Sequence, residues 1–317
     1  MTQPAIGVHT SDSTAEVADE LLERPSVPAL VGSLVVIIVP FLGLIAACIL
    51  FWDTRFSWLN LGMFASGYVL TVLGITLGYH RLFTHKSFKT NAAVAAVLGI
   101  LGSMSVEGPI LQWVATHRRH HQHTDRPGDP HTPHQHGSGL GSWLKGVYHA
   151  HFGWFFTKAP SRQAMDRYVP DLQADPVVRA VSRLFGLWAI LGLVIPAIVG
   201  LVATSSWMGA LTGFIWGGLL RIFFVHHVTW SVNSACHLWG QRPFNTHDHS
   251  RNNALFGILA MGEGWHNNHH AFPASARQGL AWWQIDVGYL VIRALSLLGL
   301  AWDIKVPSQD RIAGKRA

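Results

Sequence analysis

Four apolar runs constrain this chain more than anything else in it. They read LVGSLVVIIVPFLGLIAACILF at 30–51, LNLGMFASGYVLTVLGITL at 59–77, LFGLWAILGLVIPAIVGLV at 184–202 and MGALTGFIWGGLLRIFFVHHV at 208–228. Each can cross a hydrocarbon layer of about 30 Å at about 1.5 Å per helical residue. A segment in lipid must satisfy its own backbone hydrogen bonds, so all four are expected as helices. Short links at 52–58 and 203–207 join them into two hairpins. Pro40 is expected to kink the first run. Trp52 and Trp58 flank the first link, where interfacial anchors belong. Gly62, Gly67 and Gly74 offer the second run a small-residue face for close packing.

Two shorter runs are read differently. The stretch 92–106 is too short to span and is expected to lie in the interface or inside protein. The stretch 286–302 is interrupted by Arg293 and is expected to be amphipathic and interfacial. The short links carry few charges, so nearly all lysines and arginines fall on the other side. That side, with both termini, is expected to be cytoplasmic. The net charge of +6 is spread between apolar runs. It is not clustered with aromatics on a polar domain, which argues against nucleic acid and for an anionic lipid surface. Residues 1–28 are acidic and lack a basic n-region, so they are expected to be a disordered tail and not a cleaved signal. A single domain is expected over 29–308, with a C-terminal tail at 309–317. Cys48 and Cys236 are expected to be reduced thiols, too few for a thiolate metal site.

The chain is also rich in histidine, and four groups are spaced for chemistry. GYHRLFTH holds His80 and His85; WVATHRRHH holds His117, His120 and His121; WSVNSACH holds Asn233 and His237; GEGWHNNHH holds His266, His269 and His270. Positions i, i+3 and i+4 share a helix face, so each HxxHH unit is expected to converge on one point. His80 and His85 stand about 140° apart on an ideal helix. One must sit past a helix end, or the pair must reach metals from two directions. A helix from Met208 to His237 would be about 45 Å long, which lifts Asn233 and His237 out of the lipid. All four groups then meet in a cap. Nine imidazoles exceed the needs of one ion and suit two. Imidazole serves iron, copper, nickel or zinc, and a pair of metals supplied with electrons points to iron and O₂ chemistry.

Other histidines are given structural readings: His9, His149, His151, His226 and His227 as single packed residues. His123, His131, His134 and His136 lie in a Pro/Asp/Gly-rich stretch read as a polar surface loop. Arg221 is read as structural or snorkelling. Glu263, Asn267 and Asn268 are candidates for orienting imidazoles.

With these residues in hand, the chain resembles the membrane-bound fatty-acid desaturases, most closely the stearoyl-CoA (delta-9 acyl) type. The resemblance runs from about residue 30 to 308. It is carried by GYHRLFTH, HRRHH followed by DRPGDPH, FGWFF, NSACHLWG, GEGWHNNHHAFP and LGLAWDIKVPS. It implies an all-α integral membrane protein with four transmembrane helices under a cytosolic helical cap holding two Fe ions. It implies His80, His85, His117, His120, His121, His237, His266, His269 and His270 as ligands, Asn233 near one metal through a water, and Trp113 at a tunnel for the acyl chain. The expected reaction is O₂-dependent insertion of a cis double bond at Δ9 of a saturated chain. The expected carrier is CoA, with acyl-lipid or acyl-carrier-protein as alternatives. Ala115 and Thr116 stand where the animal acyl-CoA enzymes carry charged residues. No HPGG or GxGxxG motif occurs. Electrons are therefore expected from a separate ferredoxin, rubredoxin or cytochrome b5-type donor. The membrane is expected to be a bacterial plasma membrane. Rival readings are a membrane hydroxylase with the same metals and a membrane metal transporter.

Overall fold

A computed structural model describes residues 22–52 and 57–317. Residues 1–21 of the expected tail, with His9, and 53–56 of the first link lie outside the described residues, as does the side chain of Trp52. Of the stretch expected as a tail, the residues from Leu22 on have structure. Leu22–Glu23 pair antiparallel with Ala159–Pro160, and Val27 opens the first helix.

Four long apolar helices dominate: α1 (Val27–Trp52), α2 (Trp58–Thr84), α9 (Phe185–Thr204) and α10 (Trp207–Leu238). Between them lie α3 (Ala92–Ser103), α4 (Ile110–His123), α5 (Leu140–His151), α6 (Arg162–Tyr168), α7 (Pro170–Ala174) and α8 (Pro176–Arg183). After α10 come α11 (Ala254–Leu259), α12 (His266–Ala271), α13 (Val287–Leu297) and α14 (Gln309–Ala313). α1 runs unbroken through Pro40. Side chains cap the helix starts: Ser57 accepts from the Asn60 amide, Asn91 from Val94 and Ser206 from Met208. α1 and α9 leave large apolar residues such as Leu34, Ile38, Ile190 and Ile198 exposed, as a lipid-facing surface requires. α10 is mostly buried. At 32 residues it is about 48 Å long and outreaches the hydrocarbon layer, as the sequence suggested.

Close packing uses other glycines than expected. Gly62 faces open space and Gly67 makes ordinary contact with Arg221, so only Gly74 of the three sits where a Cβ would strike backbone, that of Leu101 and Gly102 on α3. In the second hairpin Gly200 and Gly209 press against each other, where a Cβ on either would strike the other's carbonyl. Arg221 is structural. It is buried and donates to the carbonyls of Gly217, Met104 and Gly192, fastening α10 to α9 and to the end of α3.

α3 is about 18 Å long and cannot span a bilayer. His80 and His117, which flank it in sequence, have rings 4.7 Å apart, so both of its ends serve one site. α13 buries Ile292 and exposes Leu290 and Leu297. Lys89–Thr90 pair with Ala301–Trp302. The 309–317 segment forms α14 and docks Ile312 against Phe244, Ala271 and Phe272, under α12. Cys48 is exposed and Cys236 buried, and both are free.

Candidate metal centre

The nine histidines meet in two groups. Ring nitrogens of His80, His85, His117, His121 and His269 lie within 4.8 Å of one another, and so do those of His120, His237, His266 and His270. The split corrects the expectation that each HxxHH converges on one point. On a helix, i and i+4 stand about 40° apart but i+3 and i+4 about 100°. Each unit therefore sends its outer pair one way and its middle residue the other. His117 and His121 join the first group and His120 the second; His266 and His270 join the second and His269 the first.

α2 solves the five-residue spacing of its pair by changing helix type. From Gly74 to Thr84 its turns are π-helical. The His85 amide donates to the His80 carbonyl at 3.1 Å, five residues back, and Thr84 Oγ1 donates to Tyr79 in the same register. This wider turn returns residues five apart to one face. The two rings come to 4.8 Å, with His85 as the residue just past the helix end. The arginines between the histidines hold this geometry. Arg118 pairs through both arms with Asp171 and donates to the Phe83 and Thr84 carbonyls, so α4 is tied to the end of α2. Arg81 is buried between Asp286, Glu263 and the Ala276 carbonyl.

The donor set fits metal ions. His80, His117, His121 and His269 meet through Nε2 atoms at 2.9–3.1 Å, and His237, His266 and His270 do so at 3.0–3.1 Å. Two nitrogens each about 2.1 Å from one ion at right angles would stand about 3.0 Å apart. Nε2 of His85 and of His120 are buried with no hydrogen-bond partner among the described residues. Burial pushes His85, His117, His121, His266 and His269 well below the ordinary imidazole range, and neighbouring histidines push them further. Neutral rings are what ligation requires.

The far nitrogens are held by carboxylates. An ionised carboxylate only accepts, so each bonded Nδ1 donates and leaves its Nε2 lone pair facing the group. His120 donates to Asp129, His237 to Asp125 and His270 to Asp248, each at 2.9 Å; His80 pairs with Glu263. Burial alone would raise Asp129 and Asp248, but the adjoining imidazoles outweigh it and hold both well below the carboxylate range. Of the three residues expected to orient imidazoles, Glu263 does so. Asn267 and Asn268 serve the scaffold instead. Asn267 accepts from the Phe244 amide, and Asn268 donates to the Gln278 carbonyl and to Gln284.

The stretch after α4 is not a bland surface loop. Positive φ at Asp125 and Gly128 turns it so that both aspartates point inward. His131 is buried and stacks on His120 at 4.4 Å. Two aspartates four residues apart, beside Pro and Gly and directly after HxxHH, were the readable signal. Asp248, over 120 residues from the α4 histidines, had none. His226 donates to the Ser105 carbonyl and His151 bridges Ser234 and His227, in keeping with structural roles.

A cavity of about 470 Å³ adjoins the centre, with His117 and Asn233 on its wall. Asn233 lies one turn before His237 on α10 and belongs to neither histidine group. Trp113 stacks on His117, with centroids 5.0 Å apart and planes at 21°. Its Nε1 donates to Glu107 at 3.1 Å. Glu107, which the sequence did not mark, accepts from Trp113 through Oε2, and its Oε1 is buried with no hydrogen-bond partner among the described residues. Burial pushes its carboxyl up to about 7, against hydrogen bonds from Thr229 and Trp113.

Comparison with known proteins agrees with this site. Residues 56–297 match the profile of a family described as fatty acid desaturase. The chain is 41% identical over 281 residues to a hex-5-enoyl-[acyl-carrier protein] acetylenase of Moorena producens (strain JHB), covering 88% of this chain and 87% of that one. It is 38% identical over 273 residues to an sn-1 stearoyl-lipid 9-desaturase of Anabaena variabilis, covering 86% and 93%. It is 38% identical over 262 residues to an icosanoyl-CoA 5-desaturase of Limnanthes douglasii, covering 81% and 67%.

Proposed function

The chain belongs to the fatty acid desaturase family, and from that premise we propose that it introduces a cis double bond, at Δ9, into a saturated fatty acyl chain. The observation that carries this is the pairing of two buried imidazole groups with a cavity whose wall stacks on one of their members. Two Fe ions suit the donor set. His80, His85, His117, His121 and His269 would hold one, and His120, His237, His266 and His270, with Asn233 beside them, the other. When bound, such a pair supplies O₂ activation and hydrogen removal from unactivated carbon. The balance is one saturated chain, O₂, two electrons and two protons giving one cis-alkene and two waters. The electrons come from a separate ferredoxin, rubredoxin or cytochrome b5-type donor.

The protein's own residues position and enclose. A C–H bond offers no acid or base handle, so regiochemistry rests on how far the cavity admits the chain. Trp113, held by Glu107 and stacked on His117, fixes the wall nearest the imidazoles. The carboxylates set each ring's tautomer. The cap and both termini face the cytoplasm in this reading, in a bacterial plasma membrane, because the basic residues lie on that side. The sequence pointed first to acyl-CoA. The named substrates of the relatives are bound to lipid, CoA or carrier protein, so membership alone does not choose the carrier.

The test is expression in a cell without its own desaturase, followed by fatty-acid mass spectrometry that locates double bonds. A new Δ9 monoene, absent with His120→Ala and His266→Ala, is expected. A hydroxy fatty acid would replace the proposal with the hydroxylase reading. No new product, with iron bound and a reductase supplied, would overturn it.

A further inference from the structure

We infer that the acyl chain enters the cavity sideways from the bilayer, through a portal on α1, while still esterified to a membrane glycerolipid. This deepens the desaturase reading above and rests on it. The cavity wall includes Ala29, Gly32, Ser33 and Val36 of α1 and Phe185 of α9. Both helices are long and apolar enough to cross a membrane. Positions 29, 32, 33 and 36 form one helical face. The neighbouring face, with Val31, Leu34, Val35 and Ile38, is exposed. One edge of the cavity is therefore the same helix surface that lipid tails cover.

That edge is built from small residues. A Cβ added at Gly32 would meet nothing within 4 Å, so the space beside it is open. Counted from Val27, Gly32 to Val36 lie roughly 8–14 Å along the helix. Ser33 Oγ donates to the Ala29 carbonyl at 3.1 Å within α1, and the Phe155 carbonyl lies 3.5 Å from it, at the limit of hydrogen-bond range.

The other rim is polar. Arg119, Pro130, Thr157 and Lys158 line both this cavity and an adjoining one of about 360 Å³. That second compartment carries Asp129 and Gln135 beside Arg119 and Lys158. An apolar entrance beside a polar compartment matches a lipid: the chain passes Gly32, and the ester and headgroup stay in the polar compartment. A water-borne thioester has no need of an opening lined by a membrane helix.

The experiment uses full-length, iron-loaded protein in phosphatidylglycerol vesicles doped with a lipid carrying a diazirine on its stearoyl chain. After irradiation, peptide mass spectrometry should find adducts on the α4 stretch that holds Trp113 and Thr116. Gly32→Phe, which puts a ring into the open space beside that residue, should cut that labelling sharply. Gly62→Phe, at a second glycine with open space but off the cavity, should leave it unchanged. Val36→Trp fills the same face from one turn on and serves if Gly32→Phe fails to fold. The portal is overturned if Gly32→Phe and Val36→Trp label as the unaltered protein does, or if α4 is labelled only by diazirine stearoyl-CoA supplied in water. Double bonds are assayed in parallel samples given O₂ and an external reductase with its electron carrier. Labelling through the portal with no double bond formed upholds the portal and breaks the desaturase reading. Double bonds in stearoyl-CoA without lipid labelling do the reverse.

Discussion

The two histidine groups share helices and residue type, yet they are held differently. In the five-histidine group, His80 alone has a carboxylate partner among the described residues, and that partner, Glu263, is shared with Arg81, Thr76 and Gln278. In the four-histidine group three of four rings donate to their own aspartates: His120 to Asp129, His237 to Asp125 and His270 to Asp248. Those aspartates are themselves fixed. Asp125 accepts from the His249 amide and from Thr132, Asp129 from the Asp125 and His131 amides, and Asp248 from Ser250. A ring whose far N–H is fixed by a carboxylate is a better-aimed and more basic ligand. One group thus relies on the number of imidazoles, the other on their orientation.

The largest effect should come from removing ligands. His85→Ala should cost the ion of the five-histidine group, and His120→Ala or His266→Ala that of the four-histidine group. Monoene formation should vanish in all three. Iron content per protein, with fatty-acid analysis, checks this. Loss of both ions from one substitution would show that the groups are not independent.

Removing a carboxylate should act next. Asp125→Asn, Asp129→Asn and Asp248→Asn keep shape but lose the charge, and each should weaken metal affinity or activity about 10–100-fold. Metal titration should place that loss in the four-histidine group, while Glu263→Gln affects the other. Equal effects of all four on both ions would erase the contrast.

Acid should act on both groups. The buried rings of His85, His117, His121, His266 and His269 have folded-state values below their unfolded one. The folded protein then binds fewer protons than the unfolded chain below about pH 6.5. Stability and retained metal should be full above that value and fall as pH drops. Thermal melts and iron retention across a pH series measure it. A flat profile would mean the rings are not held neutral by burial.

Glu107 should give the smallest effect and the opposite sign. Its carboxyl is raised to about 7, so the folded state favours the neutral form. That contribution is present below the unfolded carboxylate range and is lost as pH rises through about 7. Desaturation should decline several-fold across that limb, and Glu107→Gln, neutral at every pH, should flatten it. Rate against pH for the two proteins decides the matter.

Much of this was readable from the chain. The four spans were visible because lipid thickness demands long apolar runs, and α10 was recognisably too long for the bilayer alone. The nine histidines were visible because HxxHH repeats at helical spacing. The register of HRLFTH was not, since nothing local announces π-helical turns at Gly74–Thr84. The partition of each HxxHH between two groups was hidden too. Spacing gives angles about one helix and says nothing of what stands opposite.

By itself, then, the sequence determined the helices, the number of spans and the set of imidazoles, all properties of a short window and its solvent. Tertiary structure decided which histidines share a group, that Asp125, Asp129 and Asp248 rather than Asn267 and Asn268 orient them, and that Gly32 rather than Gly62 or Gly67 borders a cavity. The reason is distance along the chain. Asp125 meets His237 across 112 residues and His80 meets His269 across 189, and such pairings exist only once the helices that carry them have packed.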